Sequence, residues 1–320
     1  MTFAPVQKPL KAVPTVGSSA VLNSMESVSP LLAKHATARG VACGAGAALC
    51  WALGFVAARQ GVTSGLSPFV IALHRFAWPG LALLPLVARN SFADLRMIGL
   101  RRGAALALFG GLPLALLSYL GYVLVPLGHG AVIQPSCAAL GGLILARLVL
   151  KEHLPVRRIV GAAVILAGLA AIGAEALRTM GANGLLGDFL FVAAGSFFAI
   201  FGVLVRLWRV AAMRAAAVTS VLSLAGLPIL LFDFGNMLAA GWYENAMQAV
   251  VQGVLAGAGA IYLFTRAVVL LGASRAVLFP SLVPPFTLLI GYLTLGEAPS
   301  VPQLAGLVIV IVGFRLTQRA

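Results

Sequence analysis

Residues 131–168, AVIQPSCAALGGLILARLVLKEHLPVRRIVGAAVILAG, and residues 276–313, AVLFPSLVPPFTLLIGYLTLGEAPSVPQLAGLVIVIVG, follow one sequence pattern. Eleven of the 38 aligned positions are identical. Apolar composition explains repeated leucines and alanines more easily than the repeated Pro, Ser, Glu and two Gly, which are Pro135 and Pro280, Ser136 and Ser281, Glu152 and Glu297, Gly161 and Gly306, and Gly168 and Gly313. The chain therefore contains two structurally related halves.

The composition around these copies is that of a membrane protein. Of the 320 residues, 61% are hydrophobic and 9% are charged, whereas soluble domains have roughly 45–50% and about 25%. About 20 apolar residues in a helix cross the roughly 30 Å hydrocarbon core. We predict an all-α integral membrane protein with ten transmembrane helices. Nine uncharged runs are long enough, and a tenth, 66–88, qualifies once His74 and Arg75 are allowed inside it. The ten runs are 40–58, 66–88, 103–128, 130–146, 159–174, 189–205, 215–232, 245–265, 276–296 and 298–314.

The loops of the two halves predict opposite orientations in the membrane. Each half holds five helices, an odd number, so the second half enters the membrane from the opposite side. The loop around Glu152 carries basic residues such as Arg157, as a cytoplasmic loop does, whereas the loop around Glu297 has no Lys or Arg. We predict two inverted-topology five-helix repeats, residues 40–174 and 184–316, with a substrate site near the membrane midplane.

Basic residues also set the predicted orientation of the whole chain. If residues 1–39 are cytoplasmic, nineteen of the 22 Lys and Arg residues lie in cytoplasmic segments, and only Arg59 and Arg178 lie in outer ones. Both termini are then cytoplasmic, and we expect the cytoplasmic (inner) membrane. The net charge of +14 is thereby assigned to one membrane face, so we expect no nucleic-acid partner. Residues 1–39, rich in Ser and Pro, are predicted to be a disordered tail, with a transit peptide as the alternative.

Several motifs recur at related places in these runs. Trp51 lies in the first run, in CWALGFVAAR (50–59), and a Pro in SPF (67–69) precedes a run with the basic residue Arg75 in ALHRF (72–76). Each half then has a Pro in its fourth helix, a Glu after it and a Gly in its fifth, at Pro135, Glu152 and Gly161 and at Pro280, Glu297 and Gly306. In these features the chain resembles the drug/metabolite transporter (DMT) superfamily, whose EamA-type members have two EamA domains. The second half departs from the pattern, because Phe197 and Phe198 stand where a Trp is usual.

The resemblance implies a secondary transporter that moves a small-molecule substrate by alternating access. Members with similar patterns move amino acids, drugs, sugars or phosphates. We hypothesise export of amino-acid-like or other small amphipathic metabolites; a non-transporting membrane scaffold and a channel-like facilitator remain alternative functions. The sequence is compatible with a monomer or a homodimer. An enzyme is not expected, because the protease-like stretch 272–276 lies in a predicted cytoplasmic loop.

No cofactor or metal is expected. The sequence has no phosphate-binding Gly-Lys-Ser/Thr loop. Its three cysteines, Cys43, Cys50 and Cys137, lie in apolar runs and are interpreted as small buried side chains.

Arg75 is the leading candidate for substrate binding. A charged side chain at the centre of a transmembrane helix costs about 2.5–3.5 kcal/mol on insertion scales, so it needs a reason. We predict that Arg75, with His74 beside it, faces a cavity and holds a carboxylate or other anionic group. The alternative is that Arg75 reaches the interface or pairs with a backbone carbonyl.

Aromatic and polar residues are further candidates for lining that cavity. Trp51, Tyr119, Tyr122 and Tyr262 could stack on a substrate, or could serve packing alone. Prolines within helices leave carbonyl groups unpaired, so Pro135, Pro280 and Pro284 are predicted structural hinges, with Gln134, Ser136 and Ser281 as polar groups beside them; packing kinks are the alternative.

The remaining polar and small residues are interpreted structurally. Gly161 and Gly168 share one helix face, as do Gly306 and Gly313, which favours close helix packing. Arg59 and Arg206 are interpreted as interfacial anchors. All eight acidic residues fall in the tail, in predicted loops or at helix ends, so we expect no carboxylate in the transmembrane interior to relay protons or hold a coupling ion.

Overall fold

The protein is almost entirely helical over the residues that its structure, a computed structural model, describes: 18–89, 93–151, 153–228, 233–271, 276 and 279–318. No strand occurs in these ranges, so the all-α prediction is confirmed for them. The α-helices are α1 Ser18–Thr63, α2 Pro68–Arg89, α3 Ala93–Ile98, α4 Leu100–Gly110, α5 Leu112–Leu124, α6 Leu127–Leu148, α7 Val156–Leu207, α8 Ala212–Ser223, α9 Phe234–Ala239, α10 Gly241–Gln248, α11 Ala260–Leu271, α12 Val283–Leu295 and α13 Val301–Gln318. A π-helix, Ala249–Gly259, joins α10 to α11, and 3-10 turns follow α8 (Leu224–Gly226) and precede α12 (Phe279–Leu282).

Among the described residues, five helical stretches are long and apolar enough to cross a membrane. They are Thr37–Thr63, Leu100–Leu124, Leu127–Leu148, Arg178–Leu207 and Gly241–Leu271. Three shorter apolar helices are Met213–Gly226, Phe279–Leu295 and Val301–Thr317. The predicted runs 215–232 and 276–296 extend over residues 229–232 and 277–278, which lie outside the described residues.

Helix α1 begins earlier than the sequence predicted. Helix α1 starts at Ser18, so it includes residues 18–39 of the segment that we predict as a disordered tail. Strong helix formers, Ala, Leu, Met, Glu and Lys, are spread through this stretch, and they can extend a helix that residues 40–58 already stabilise. Residues 1–17 of the predicted tail lie outside the described residues.

Helix α7 contains two predicted helices in one continuous element. Its arms, 156–180 and 182–207, meet at Gly181, where φ is 62° and ψ is −143°. Positive φ is readily available to glycine alone, so Gly181 breaks the helical path without a connecting loop. The two arms contain the predicted runs 159–174 and 189–205, and only one non-helical residue, Gly181, separates the arms.

The first arm of α7 packs directly on α13 through four glycines. A Cβ atom added at Gly161 would lie 2.7 Å from the backbone oxygen of Gly313, and one at Gly168 would lie 2.9 Å from the backbone oxygen of Gly306. The two helices run antiparallel, because the earlier glycine of one faces the later glycine of the other. As predicted, these glycines form a face that lets two backbones touch.

Helices from the two halves of the chain interleave. Helix α1 packs along the π-helix, α11 and α12, while α2 packs against the π-helix and α8. Helix α7 is flanked by α5, α6 and α13. The polar groups described below lie at these contacts, and segments distant in sequence supply them.

Candidate functional site

Arg75 lies within α2 and reaches the π-helix. Its Nη1 donates a hydrogen bond to the backbone carbonyl oxygen of Gln252, at 3.2 Å. The side chain is half-buried, and no carboxylate of the described residues forms an ion pair with it. A guanidinium has five N–H donors, so a single carbonyl leaves most of its donor capacity unused.

Gln252 ties Arg75 to two further helices. Its side chain is buried; its Oε1 accepts a hydrogen bond from the Tyr119 hydroxyl at 3.2 Å, and its Nε2 donates to the backbone oxygen of Gly54 at 2.8 Å. Gly54, Arg75, Tyr119 and Gln252 are hereafter the central cluster. It joins α1, α2, α5 and the π-helix, a helix type that is frequent at functional sites.

His74 has both ring nitrogens engaged. Trp78 Nε1 donates to its Nδ1 at 2.9 Å, and its Nε2 lies 2.9 Å from Asn245 Oδ1. Asn245 Nδ2 donates to two backbone oxygens, those of Met237 and Gly241, which leaves Oδ1 as the acceptor. His74 is therefore a neutral imidazole with its proton on Nε2, and it anchors α2 to the start of α10 instead of presenting a free nitrogen.

The four candidate aromatic residues are not brought together. Tyr119 belongs to the central cluster, whereas Tyr122 is fully buried and packs edge-on against Phe191, with 4.8 Å between ring centroids. Trp51 is half-buried, and its ring lies 5.5 Å from that of Phe264. Tyr262 is 56% exposed. Only Tyr119 shares hydrogen-bonded partners with Arg75.

The polar residues beside the predicted hinges have partners within the protein. The Ser136 hydroxyl is buried and donates to the backbone oxygen of Val132 at 2.6 Å, one turn earlier in α6. Gln134 Oε1 accepts a hydrogen bond from Ser118 Oγ at 2.9 Å. Ser281 is half-buried in the 3-10 turn before α12.

The equivalent prolines occupy different local structures. Pro135 lies inside the unbroken helix α6. Pro280 lies in the 3-10 turn before α12, and Pro284 lies in the first turn of α12, where a missing N–H costs nothing. The repeat in sequence is therefore not a repeat in local backbone geometry at this point.

An ion pair joins the end of α1 to the connection before α13. Arg59 Nε lies 2.6 Å from Glu297 Oε1. Arg59 Nη1 also donates to the backbone oxygen of Tyr122, and Glu297 Oε2 accepts from the backbone N–H of Leu127 at 2.8 Å. We term Arg59, Glu297 and these two backbone groups the clasp. Arg59, predicted to be an interfacial anchor, thus also links the two halves.

A second polar pair lies between α6 and the second arm of α7. His129 Nδ1 is 2.8 Å from Asp188 Oδ1. His129 is fully buried and Asp188 is 7% exposed. Glu244, in α10, is also buried and accepts hydrogen bonds from Gln60 and Gln248. Asp188 and Glu244 are thus buried within the protein, toward the starts of the apolar stretches Arg178–Leu207 and Gly241–Leu271.

Comparison with known proteins assigns a family to this arrangement. The profile of the EamA-like transporter family matches residues 38–174 and 185–318, which together make up most of the chain. The chain belongs to the EamA-like transporter family. A protein of known crystal structure has a similar fold, with a TM-score of 0.54 and 18% identity over 88% of this chain and 96% of that one. No curated protein matches the sequence of this EamA-like transporter.

Family membership confirms the resemblance to the DMT superfamily with its two EamA domains. This EamA-like transporter is an integral multi-pass membrane protein, in agreement with its long apolar helices. Its family consists of transporters and not of enzymes. Residues 272–275 of the protease-like stretch lie outside the described residues.

Sequence reasoning missed the His129–Asp188 pair of the EamA-like transporter for an identifiable reason. The predicted transmembrane helices are uncharged runs, and the runs 130–146 and 189–205 each begin one residue after these two side chains. An uncharged run ends wherever a charged residue or histidine occurs, so all of these residues except His74 and Arg75 fall at the ends of the predicted helices or between them. The helices extend further, since α6 starts at Leu127 and the second arm of α7 starts after Gly181. Isolated His and Asp residues flanked by apolar residues on both sides were the available signal.

Proposed function

We propose that this protein is a secondary transporter of small organic carboxylates, in particular amino-acid-like compounds, and that Arg75 binds the substrate carboxylate. The observation that carries the proposal is the half-buried guanidinium of Arg75, which has one carbonyl partner and no carboxylate partner among the described residues. A carboxylate accepts two parallel hydrogen bonds from a guanidinium. A substrate could thus supply the anion that the protein does not.

The central cluster supports this assignment because it holds its members in place. Tyr119 and Gln252 are buried, and Gln252 uses its carbonyl and amide groups on two different helices. A site whose members are held by such bonds is pre-organised. His74, fixed by Trp78 and Asn245, positions the neighbouring turn of α2.

We further propose that residues 40–174 and 184–316 are inverted repeats that together form ten transmembrane helices. The glycine contact supports this proposal. Gly161 and Gly168 correspond in the repeat to Gly306 and Gly313, and each glycine of α7 faces the non-equivalent glycine of α13. A two-fold axis that passes between the two helices, perpendicular to both, generates such a reciprocal antiparallel contact. Inverted repeats with this symmetry are the basis of alternating access in several transporter folds.

The clasp supports an alternating mechanism, because it closes one end of the molecule across the two halves. In the proposed orientation, with both termini in the cytoplasm, Arg59 and Glu297 lie on the outer side of the inner membrane. The repeat equates Glu297 with Glu152, and Arg59 and Arg206 lie at similar ends of the first helices of the two halves. Glu152 lies outside the described residues. We propose that Glu152 and Arg206 close the cytoplasmic end when the outer clasp opens, so that a substrate leaves outward.

Counterflow in proteoliposomes tests the proposal. Vesicles are preloaded with one unlabelled amino acid at a time, and labelled amino acid is added outside. We expect transient accumulation for at least one amino acid and none for the corresponding amine, which lacks the carboxylate. Absence of counterflow for all amino acids, with flux that does not saturate, would favour a channel-like facilitator. Absence of any flux would favour a scaffold, and either result overturns the proposal.

A further inference from the structure

We propose that His129 and Asp188 form a proton-binding site that couples proton movement to transport. The coupling role rests on the proposed transport function, whereas the proton site itself does not. The two side chains come from α6 and the second arm of α7, and they are linked by a 2.8 Å contact between Nδ1 and Oδ1. Both are buried, and the central cluster includes neither.

The pair is incomplete as a structural hydrogen-bond unit. Within the described residues, His129 Nε2 and Asp188 Oδ2 are buried and have no hydrogen-bond partner. The hydroxyl of Tyr122 is also buried without a hydrogen-bond partner, and the Tyr122 ring packs on Phe191, one turn after Asp188. Buried polar atoms normally have partners. Unpaired atoms gathered where α5, α6 and α7 meet indicate that a ligand or water engages them in another state.

Charge balance identifies a proton as that ligand. With a neutral imidazole donating its Nδ1–H to an ionised Asp188, the pair carries one net negative charge. A proton added at Nε2 gives an imidazolium and a carboxylate, and the net charge becomes zero. An apolar surrounding disfavours net charge, so the buried pair binds a proton from the water on one side. The proton leaves from Nε2 when an opening on the other side hydrates the site.

The other charged groups around the pair do not neutralise it. From α1 and the connection before α13, Arg59 and Glu297 approach this region, but they pair with each other. On α4, Arg102 stacks over Trp208, at the opposite end of the second arm of α7 from Asp188.

The remaining basic side chains on the surrounding helices are distant or exposed. Arg315 of α13 lies near Thr317, which contacts Gly161 in the other arm of α7. Arg147 lies at the far end of α6, and Arg178 is exposed. Tyr122 of α5, whose ring packs on Phe191, is a further titratable side chain beside the pair.

The clasp connects this site to the opening of the outer end. Glu297 Oε2 holds the backbone N–H of Leu127, two residues before His129, and Arg59 holds the backbone oxygen of Tyr122. Release of the clasp frees the start of α6 and the end of α5 together. Water could then reach His129 Nε2, which links proton exchange to the conformational step.

Proton counting in detergent tests the site without any substrate. The purified full chain is acidified from about pH 8 to about pH 5, the range in which histidine titrates, and bound protons are measured potentiometrically. We expect Asp188→Asn to bind about one proton fewer per chain than the parent, because a buried His129 without its carboxylate stays a neutral imidazole. The control His153→Gln, at an exposed residue, also loses about one and shows that the method detects a single histidine. Parent-like uptake by Asp188→Asn, with thermal unfolding unchanged, overturns the proposal.

Transport assays test the coupling and separate it from the proposed function. In proteoliposomes loaded with the amino acids that give counterflow, we expect Asp188→Asn to keep counterflow within about twofold, because exchange needs no proton release. We expect the same variant to lose accumulation driven by an imposed pH gradient by about tenfold or more. Unchanged gradient-driven accumulation overturns the coupling. If the parent shows no counterflow, the transport function fails, and the proton count still decides the site.

Discussion

Arg59 and Arg75 lie in apolar stretches of two consecutive helices, α1 and α2, yet their guanidinium groups have different partners. Arg59 has a carboxylate of its own chain 2.6 Å away, together with a backbone oxygen. Arg75 has one backbone oxygen at 3.2 Å and no carboxylate among the described residues. The difference supports the two roles that we propose for the same side chain: Arg59 closes the molecule with an internal anion, and Arg75 binds an anion from outside.

The largest expected effect comes from removing the charge of Arg75. We expect Arg75→Gln to lower counterflow of a carboxylate substrate about 100-fold, because hydrogen bonds to charged groups contribute about 1.5–3 kcal/mol each. Arg75→Lys should retain more activity, since it keeps the charge but loses the bidentate geometry. Exposed Arg178, changed to Gln, is the matched control and should transport normally. Parent-like counterflow by Arg75→Gln would remove the distinction between the two arginines.

Opening the clasp should have the next largest effect. Leu288 is buried and lines a cavity of about 240 Å³ beside Glu297. In a chain whose native cysteines are replaced by Ala, we expect Glu297→Gln to speed labelling of Leu288→Cys by an impermeant maleimide about tenfold. The reason is that a lost charge-assisted hydrogen bond costs about 1.5–3 kcal/mol.

The exchanged pair Arg59→Glu with Glu297→Arg is the control for the clasp. It restores the attraction between the two side chains but not their hydrogen bonds to the backbone oxygen of Tyr122 and the backbone N–H of Leu127, so it should return labelling part of the way to the parent rate. Labelling that stays equally fast in the exchanged pair would mean that the clasp does not hold this end closed.

A smaller effect of opposite sign is expected at the other end. Glu152→Gln should slow labelling of Leu288→Cys about threefold, because loosening the cytoplasmic end favours the state in which the outer clasp is shut. The effect is smaller because Arg206 is exposed, and exposed ion pairs contribute about 0.2–1 kcal/mol. Faster labelling, as in Glu297→Gln, would contradict the equivalence of the two ends.

The smallest effect should come from the support of Arg75. Tyr119→Phe removes one neutral hydrogen bond to Gln252, worth about 0.5–1.5 kcal/mol, and only part of that loss reaches Arg75. We expect about a twofold rise in the substrate concentration that half-saturates counterflow. Tyr262→Phe, at an exposed tyrosine, is the control and should change nothing. An unchanged half-saturation in Tyr119→Phe would separate Tyr119 from the site.

Prediction from sequence worked where a property belongs to each residue or to a regular spacing. The helical character of the apolar runs and the glycine faces of α7 and α13 are examples, because lipid and helix geometry act locally along the chain. Composition and spacing alone did not give the ends of helices or the burial of ionisable side chains. The start of α1 at Ser18 depends on a helix continued beyond the apolar run, and the buried state of Asp188 depends on packing against α6.

The amino-acid sequence by itself determined that this is an integral membrane protein, that it has two related halves and that Arg75 lies within an apolar helix. Only the tertiary structure decided which ionisable groups have partners. Arg59 and Glu297 are 238 residues apart, and His129 and Asp188 are 59 apart. The physical reason is that hydrophobicity is a property of each segment, whereas the pairing of charges depends on which distant segments the packed helices bring into contact.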